Sequence, residues 1–257
     1  MRSRYIPLLL TAHVTGTYLN PVSGASEILV EDTSTRTALD FLASLIAKTD
    51  PADAGTHFQA ADVVTADRDR ILAALYKDLF GDLISGTLNC VECGKPYDLD
   101  FSLTDLLDHY ALQPMTVEPD GSFSIGPDIR FRLPTGEDEL LLENTDPMTA
   151  ESLLLQRCVN QPVTSISPEL IQEHMNKVAP LLHIEMEARC PECNASQTLQ
   201  FDMQHYFLEK MIRERPVLLR DIHLIASHYH WSDDSILALP RPLRKQYVQM
   251  IEADSVG

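Results

Sequence analysis

Two stretches of the chain alternate apolar and polar residues, and they repeat at an offset of 100 residues. Such alternation places every second side chain on the same face, which is typical of a half-buried β-strand. Another run precedes each stretch, at 84–89 and at 183–189, and the second of these runs also alternates. The sequence therefore predicts two β-hairpins. The apolar positions of the repeated stretches are Leu99, Phe101, Leu103, Leu199, Phe201 and Met203.

A Cys-x-x-Cys turn, here called a knuckle, lies at the tip of each predicted hairpin. The first knuckle runs from Cys90 to Cys93 and the second from Cys190 to Cys193. This spacing folds back far enough for both sulfurs to reach one ion at about 2.3 Å, and two knuckles fill the four positions around zinc. The pattern predicts one structural Zn²⁺ site with four thiolate ligands and no position for water.

Most of the remaining chain has a helical pattern, in which apolar residues recur every three to four positions. In the segment before the first hairpin, Thr65 is the expected N-cap, Asp67 and Asp69 fall in the first turn, and Gly81 ends the helix. Pro216 is expected to break a later helix. The predicted helices cover 35–48, 65–80, 103–110, 149–158, 167–178, 206–215, 217–225, 232–239 and 240–252, with Thr149 and Ser232 as caps.

Four other segments do not have a helical pattern. Residues 1–34 predict short strands and turns, and residues 51–55 predict a linker. Residues 123–133 alternate and predict a half-buried strand or hairpin, and residues 136–139 predict an acidic turn.

These elements predict an α+β protein. Its centre is a zinc-ribbon-like pair of β-hairpins with the four-cysteine site, and an α+β insertion lies between the two knuckles. Helices flank this core, and a helical segment closes the chain. We expect an irregular N-terminal segment with one helix at 1–60, the zinc-ribbon core at 61–203 and the C-terminal helical segment at 204–257.

The charge balance limits the expected partners. The 257 residues include 38 acidic and 20 basic side chains, so the formal net charge is −18. Binding to a nucleic-acid backbone needs clustered Lys and Arg, so nucleic acid is not an expected partner. No apolar run approaches the roughly 20 residues that span a bilayer. The apolar run at 6–10 is too short for a secretory signal, so we expect a cytosolic protein.

Three other arrangements of the cysteines stay open. A redox dithiol of the thioredoxin type belongs at the start of a helix, whereas a strand follows each knuckle here. Disulfides need an oxidising compartment, for which the chain gives no sign. In the third arrangement, each knuckle completes its own site with His or with a second chain. The fifth cysteine, Cys158, falls in an apolar helical run and is expected in the core.

Other residues with metal-binding or catalytic side chains lack a matching pattern. His228 and His230 are two positions apart and do not share a helix face, so we interpret them as a helix end or a contact surface. Asp233 and Asp234 fit the N-terminal end of a helix. The sequence has no Gly-rich phosphate loop, no Gly-x-Ser-x-Gly elbow and no His-Glu-x-x-His motif. No catalytic residue is therefore predicted, and zinc is the only cofactor expected.

The order of the motifs resembles the T-even-type phage baseplate hub assembly chaperone proteins and their relatives in contractile tails and phage-tail-like injection systems. The similarity covers roughly residues 65–252. It rests on the helix ending Leu-Phe-Gly-Asp at 79–82 before the first knuckle, on Arg-Leu-Pro-Thr-Gly at 132–136, on the second knuckle after an Ile-Glu-Met-Glu strand, and on the closing helices at 222–251. Residues 1–60 match no part of this pattern.

The resemblance implies a non-enzymatic structural or assembly protein that contacts other baseplate or tail proteins. It implies the host cytoplasm during assembly, with incorporation into the particle left open. Two other functions stay open from the residues. One is a zinc-ribbon adaptor in a transcription or RNA-associated assembly, which a basic patch around Arg241, Arg244 and Lys245 would favour. The other is an enzyme with a carboxylate site, which a pocket with convergent carboxylates would favour.

Overall fold

The computed structural model describes residues 3–12, 14–47, 59–112, 117–118, 120–126, 129–160 and 167–254. The predicted linker at 51–55 and the end of the predicted helix at 48 lie outside these residues. The elements in chain order are β1 Arg4–Pro7, β2 Gly16–Leu19, α1 Gly24–Glu27, α2 Thr35–Leu45, a 3₁₀ turn Ala60–Asp62, α3 Thr65–Phe80, β3 Leu83–Asn89, β4 Pro96–Ser102, α4 Leu103–His109, β5 Phe123–Ile125, β6 Ile129–Phe131, α5 Gly136–Leu142, α6 Pro147–Cys158, α7 Pro168–Val178, β7 His183–Arg189, β8 Ser196–Asp202, α8 Met203–Tyr229, α9 Asp233–Leu237 and α10 Arg241–Asp254.

The protein is mixed α+β, as predicted. In the described ranges every sheet is a two-stranded antiparallel hairpin, and the pairs are β1–β2, β3–β4, β5–β6 and β7–β8. Within the predicted segment 123–133, Phe123–Ile125 and Ile129–Phe131 pair as the third of these hairpins, which confirms the hairpin alternative. None of the helices in the described part of the chain is both long and apolar enough to cross a bilayer.

The contacts group the described residues into two units. The first contains those of Met1–Leu9, Val14–Asp62 and Leu208–Gly257, and the second those of Leu10–His13 and Val63–Phe207. The first unit thus combines both ends of the chain. The three segments predicted from the sequence, 1–60, 61–203 and 204–257, follow the chain in order and stay a prediction.

The first unit has an apolar core and a buried set of charges. Helix α2 starts after the N-cap Ser34, whose hydroxyl accepts the Thr37 N–H, and it buries Phe41 and Leu42 along one face. A second cluster lies among the last three helices and is made of Ile225, Ile236, Val248 and Ile251. The buried charged residues of this unit are Glu27, Asp221, Arg241 and Arg244.

The second unit has an apolar core around β5 and β6, separate from the hairpins that carry the knuckles. Phe123 and Phe131 stack with their ring centroids 5.6 Å apart. Leu155 of α6 and Ile171 of α7 are buried against the same cluster. Cys158, at the end of α6, is 2% exposed, which confirms its predicted place in the core.

Two buried aspartates of α3 fix distant parts of the second unit. The Asp67 carboxylate accepts the backbone N–H groups of Leu10 and Thr11 at 2.9 and 2.8 Å. The Asp69 carboxylate accepts the N–H of Leu182 at 3.0 Å. Both residues are less than 7% exposed. The sequence placed them correctly near the helix start, but their role is to bind backbone from other segments rather than only to favour the helix dipole.

The neighbouring arginines of α3 also bind groups from distant parts of the second unit, in their case as hydrogen-bond donors. Arg68 forms an ion pair with Glu139 of α5 at 2.9 Å. The Arg70 guanidinium donates to the carbonyl oxygens of Tyr110 and Pro180 at 2.9 and 3.2 Å. Since Tyr110 follows the first hairpin and Pro180 precedes the second, this helix positions the two hairpins from the same few residues.

The predicted helix break at Pro216 is wrong. Helix α8 contains Pro216 and continues to Tyr229. A proline removes one backbone N–H but leaves the helix able to continue when its flanks are fixed by packing. Here Leu218 is 2% exposed, and the Arg215 guanidinium donates to the carbonyl oxygens of Ile28 and Val30.

Three helix starts also differ from the prediction. Val64 rather than Thr65 is the N-cap of α3, because the Thr65 hydroxyl donates to Glu139 at 2.7 Å instead of accepting a helix N–H. Helix α6 starts at Pro147 after Asp146, whose carboxylate accepts the Thr149 N–H. The predicted acidic turn at 136–139 is the first turn of α5, where acidic side chains are stabilised by the helix dipole.

Candidate metal centre

The two hairpins that carry the cysteines have the same geometry. Strand β3 pairs with β4 in a register that runs from Leu83–Ser102 to Asn89–Pro96. Strand β7 pairs with β8 in the register offset by 100 residues, and a helix starts at the residue after β4 and after β8 alike. The sequence repeat is therefore a repeat of structure, hairpin followed by helix.

The two knuckles also share their backbone hydrogen bonds. The Cys90 N–H donates to the carbonyl five residues later at 3.0 Å, and the Gly94 N–H donates back to the Cys90 carbonyl at 2.9 Å. Cys190 and Asn194 make the equivalent bonds, both at 2.9 Å. Gly94 and Asn194 have φ of 69° and 60°, in the left-handed region that Gly and Asn adopt most readily. Each chain reversal thus brings its two sulfurs to one side.

The four predicted cysteines come together. The sulfurs of Cys90, Cys93, Cys190 and Cys193 all lie within 4.8 Å of one another. Two of these approaches cross between hairpins, with Cys90 Sγ to Cys193 Sγ at 3.5 Å and Cys93 Sγ to Cys190 Sγ at 3.8 Å. Tetrahedral ligands at about 2.3 Å from a zinc ion are about 3.8 Å apart. The cluster therefore has the size of a four-thiolate metal site.

All five cysteines are free thiols. Sulfurs in a disulfide are about 2.05 Å apart, far closer than the distances in this cluster. Cys90 and Cys190 are buried, whereas Cys93 and Cys193 are exposed at the rim. A metal ion could therefore enter from the side of the second cysteine of each knuckle. The four sulfurs present a soft donor set, which selects zinc, copper(I) or an iron–sulfur cluster.

Backbone amides affect the protonation of the cluster. The N–H groups of Cys93 and Glu92 point to the Cys90 sulfur and lower the pKa of this thiol to about 6. The N–H of Ala195 acts in the same direction on Cys193. Hydrogen bonds in which the Cys193 thiol donates to the neighbouring sulfurs, together with desolvation, outweigh it and raise the pKa of Cys193 to about 12. Adjacent thiolates repel, so without a cation the cluster cannot hold four negative charges.

Apolar packing joins the hairpins below the sulfurs. Tyr97, Ala188 and the buried cysteines form one cluster, against which Leu88, Leu99 and Leu199 are packed. Further along, Phe101 and Phe201, which are 100 residues apart, meet edge to face with centroids 5.2 Å apart. The inner faces of the two hairpins therefore lie against each other, as their alternation predicts.

Polar contacts between the knuckles add to this packing. The Gln197 side chain accepts the Val91 N–H at 3.0 Å and donates to the Asn89 carbonyl at 3.4 Å. The Lys95 ammonium and the Glu192 carboxylate are 2.7 Å apart. These contacts were not predicted from the sequence. The repeat could have indicated Gln197, because it stands at the position equivalent to the buried Tyr97.

The other candidate ligands do not join a metal cluster. Within the described residues the four cysteines are the only group of three or more potential ligands that lie together. Tyr229 ends α8 and His230 adopts φ of 58°, so His228 and His230 mark a helix end, as interpreted. Asp233 and Asp234 lie in the first turn of α9, also as predicted.

The basic residues near the C-terminus are neutralised within their own unit. Arg244 contacts Glu27 at 2.5 Å and Asp221 at 3.3 Å, and Lys245 contacts Asp221 at 2.9 Å. Arg241 contacts Glu27 at 3.0 Å. Arg244 and Arg241 are only 1% and 8% exposed. These residues therefore do not form a free basic patch.

A cavity of about 340 Å³ lies in the second unit between α6 and α7. Its lining is mainly apolar, with Glu139 and Glu151 among the polar residues. Glu139 pairs with Arg68, and Glu151 accepts a hydrogen bond from the Gln172 amide. Both carboxylates thus have partners in the fold and do not converge as a free pair.

No protein-family model, no curated protein and no solved structure matches this chain.

Proposed function

We propose that this chain is a non-enzymatic structural protein in which one zinc ion joins two hairpins into a zinc-ribbon-like core. The observation that carries the proposal is the approach of four cysteine sulfurs, from knuckles 100 residues apart, to within 4.8 Å of one another. The donor set, the sulfur distances and the matched knuckles fit a tetrahedral zinc site. Cys90, Cys93, Cys190 and Cys193 are the proposed ligands.

A structural role fits this donor set better than a catalytic one. Four protein ligands fill a tetrahedral zinc ion, so no position stays open for water or substrate. The bound ion would neutralise thiolates that otherwise repel, and it would hold the two knuckles together. Since a structural zinc in small peptides contributes on the order of 10 kcal/mol of apparent binding free energy, its removal should destabilise the fold strongly.

The proposed biological role is the assembly of a contractile-tail baseplate, either of a phage or of a phage-tail-like injection system. This part of the proposal rests on the resemblance of the motif order across roughly residues 65–252. The net charge of −18 supports contacts with proteins rather than with nucleic acid. The pairing of Arg241, Arg244 and Lys245 with acidic residues does not favour the RNA-associated alternative.

The metal proposal is tested by native mass spectrometry of the purified chain together with elemental analysis. One zinc per chain, in the monomer that is present at low protein concentration, is the expected result for knuckles that share an ion. One zinc per two chains, or no zinc after purification with zinc present, would contradict it. A redox dithiol would instead give a protein without metal whose thiols form disulfides on mild oxidation.

The assembly proposal needs a separate experiment. Deletion of the gene in the phage or the cell that encodes the particle should leave tails without complete baseplates, as seen by electron microscopy. A copy that carries the four cysteines should restore them, and a Cys93→Ser copy should restore them poorly. Normal particles after deletion would exclude a role in baseplate assembly and would leave the metal site unaffected.

A further inference from the structure

The hairpins with the knuckles have outer edges that differ from one another. In an antiparallel pair, the N–H and C=O groups of every second residue point away from the partner strand. The bond from Cys190 N–H to the Ala195 carbonyl sets this alternation for β7 and β8. The outward groups of β8 are therefore those of Ser196, Thr198, Gln200 and Asp202. The outward groups of β3 are those of its odd-numbered residues. Unpaired outward groups can bind another strand.

The outer edge of β3 is covered by side chains. The Tyr206 hydroxyl contacts both the N–H and the carbonyl of Ser85, at 3.1 and 2.9 Å. The Tyr76 hydroxyl donates to the Leu83 carbonyl at 2.9 Å, and the Gln197 amide donates to that of Asn89. Another strand cannot pair with β3 without displacing these groups.

Proline and acidic residues at the outer edges of β4 and β7 oppose pairing with another strand. Strand β4 begins with Pro96, which has no N–H, and Asp98 and Asp100 occupy its next outward positions. Strand β7 has Glu185 and Glu187 at its central outward positions. Charged residues and proline at these places are typical protection against pairing with another copy.

The central part of β8 lacks both kinds of protection. Its exposed residues Ser196, Thr198 and Gln200 are uncharged, although they are equivalent to Pro96, Asp98 and Asp100 in the repeat, and the charged Asp202 stands only at the end of the strand. No described residue accepts or donates a hydrogen bond at the outward backbone groups of Thr198 or Gln200. Among the four strands of these hairpins, β8 is thus the one whose central edge is both uncovered and uncharged.

We propose that the edge of β8 binds the same edge of a second copy of this chain. An antiparallel pair centred on Leu199 places Thr198 of one copy opposite Gln200 of the other, so no like charges face each other across it. The two hairpins would form a four-stranded sheet with twofold symmetry. Pairing through β7 or β4 would instead place the carboxylates of both copies next to one another.

The dimer is expected to be weak and to strengthen with salt. Two seven-residue strands bury less than the roughly 1,600 Å² of a standard interface, so dissociation on the order of tens of micromolar is expected. Each copy has a net charge of −18, and salt screens the resulting repulsion. If a basic strand of another protein bound an acidic edge instead, the binding would weaken as the salt concentration rises, because salt screens attraction as well as repulsion.

The test is sedimentation velocity of the full, zinc-loaded chain over a range of concentrations, at about 0.05 M and about 0.5 M NaCl. A mass that doubles with concentration, with a lower dissociation constant at high salt, is the expected result. A monomer under all conditions, or a dimer that dissociates at high salt, would overturn the proposal. Zinc content measured on the same samples shows separately whether the metal proposal holds.

The matched variant places like charges on the edge of β8 by Thr198→Lys and Gln200→Lys. Within the hairpin these positions lie opposite Glu187 and Glu185, so the added ammonium groups have partners in the monomer, whereas Lys faces Lys across the dimer. The variant should raise the dissociation constant at least about tenfold, which corresponds to about 1.4 kcal/mol. A control with the same added charge on exposed positions of α10, Gln246→Lys with Gln249→Lys, should change it less than about twofold. Equal effects of both would overturn the assignment to β8.

Amide hydrogen exchange of the wild-type chain provides a measurement without substitutions. The N–H groups of Thr198 and Gln200 should exchange more slowly at concentrations that favour the dimer, because pairing covers them. The N–H groups of Asp98 and Asp100, at the equivalent edge of β4, should be unaffected. Exchange at Thr198 and Gln200 that does not change between monomer and dimer would exclude this edge as the interface.

Discussion

The buried carboxylate of Asp69 accepts the backbone N–H of Leu182 at 3.0 Å, across 113 positions of the sequence. Asp69 lies in the helix before the first knuckle, and Leu182 directly precedes the hairpin of the second. The bond therefore ties the two halves of the repeat together at the end away from the sulfurs. Burial raises the pKa of Asp69 to about 6, although the Leu182 N–H and Arg68 act to lower it.

The raised pKa of Asp69 predicts that the free energy of unfolding depends on pH. The substitution Asp69→Asn should remove this dependence. The ordinary pKa is 3.8, so between about pH 4 and 6 the folded state binds a proton that the unfolded state does not, and the contribution of Asp69 to stability falls as pH rises. At one pKa unit per 1.36 kcal/mol, the loss is up to about 3 kcal/mol. The Asn variant keeps the oxygen acceptor but does not titrate.

Urea unfolding from pH 4.5 to 7.5 checks this prediction. The stability of Asp69→Asn relative to wild type should increase with pH over this range. The control is Asp108→Asn, which makes the same chemical change at an exposed position of α4. Parallel pH profiles of wild type and Asp69→Asn would show that the buried carboxyl does not titrate in this window.

Asp138 is expected to stabilise the insertion. Its carboxylate is 1% exposed and accepts both Arg132 nitrogens at 2.6 and 2.8 Å and the Arg157 Nε at 2.8 Å. Asp138→Asn leaves two guanidinium groups without their counter-charge. Since both arginines are about 40% exposed, water compensates in part, and we expect a loss of about 2 kcal/mol in urea unfolding.

The pH dependence at Asp138 has the opposite sign to that at Asp69. Hydrogen bonds from Arg132 and Arg157 outweigh burial and hold the pKa of Asp138 well below its ordinary value. Its contribution is therefore present above about pH 4 and is lost as the pH falls through the lower pKa of the folded state. Wild type should lose its advantage over Asp138→Asn in acid, and a constant difference down to pH 2 would contradict this account.

The sequence predicted the hairpins and the cysteine cluster because both leave a local signal. Alternation reports which face of a strand is buried, and the knuckle spacing is set by one turn. The roles of Asp67 and Asp69 left no such signal, because acidic residues near a helix start look the same whether solvent or distant backbone surrounds them. The continuation of α8 through Pro216 depends on packing that only the folded chain provides.

The pairing of Glu27 with Arg244 was likewise beyond the sequence, since 217 positions separate the two residues. Their buried ion pair with Asp221 predicts a large effect of Arg244→Ala. Removing the guanidinium leaves each buried carboxylate with one cation instead of two, Arg241 for Glu27 and Lys245 for Asp221. Together with the cavity left at a buried side chain, this change should cost about 3 kcal/mol. Arg213→Ala removes an exposed pair with Glu209 and should cost less than about 1 kcal/mol.

Thermal and urea unfolding of the two arginine variants checks this difference. Zinc content should stay the same in both, because neither residue contacts the cysteine cluster. Similar small losses in both variants would show that the charge pairs of the first unit contribute little, whatever their burial.

The cysteine substitutions test whether the two knuckles share an ion. Cys93→Ser and Cys193→Ser each remove one sulfur from the same cluster, although the residues lie in hairpins 100 positions apart. If one ion binds all four sulfurs, both variants should lose zinc and show the same large drop in melting temperature. Chelation should destabilise the wild type to the same extent and have little further effect on either variant.

Cys158→Ser separates loss of metal from loss of a buried thiol. Cys158 is 2% exposed, and burial raises the pKa of its thiol to about 11. A hydroxyl at this position should cost about 1–3 kcal/mol through unsatisfied burial, while the zinc content should be unchanged. A Cys93→Ser variant that keeps zinc at the second knuckle would instead show separate sites, each completed by other ligands, because a shared ion cannot lose one knuckle alone.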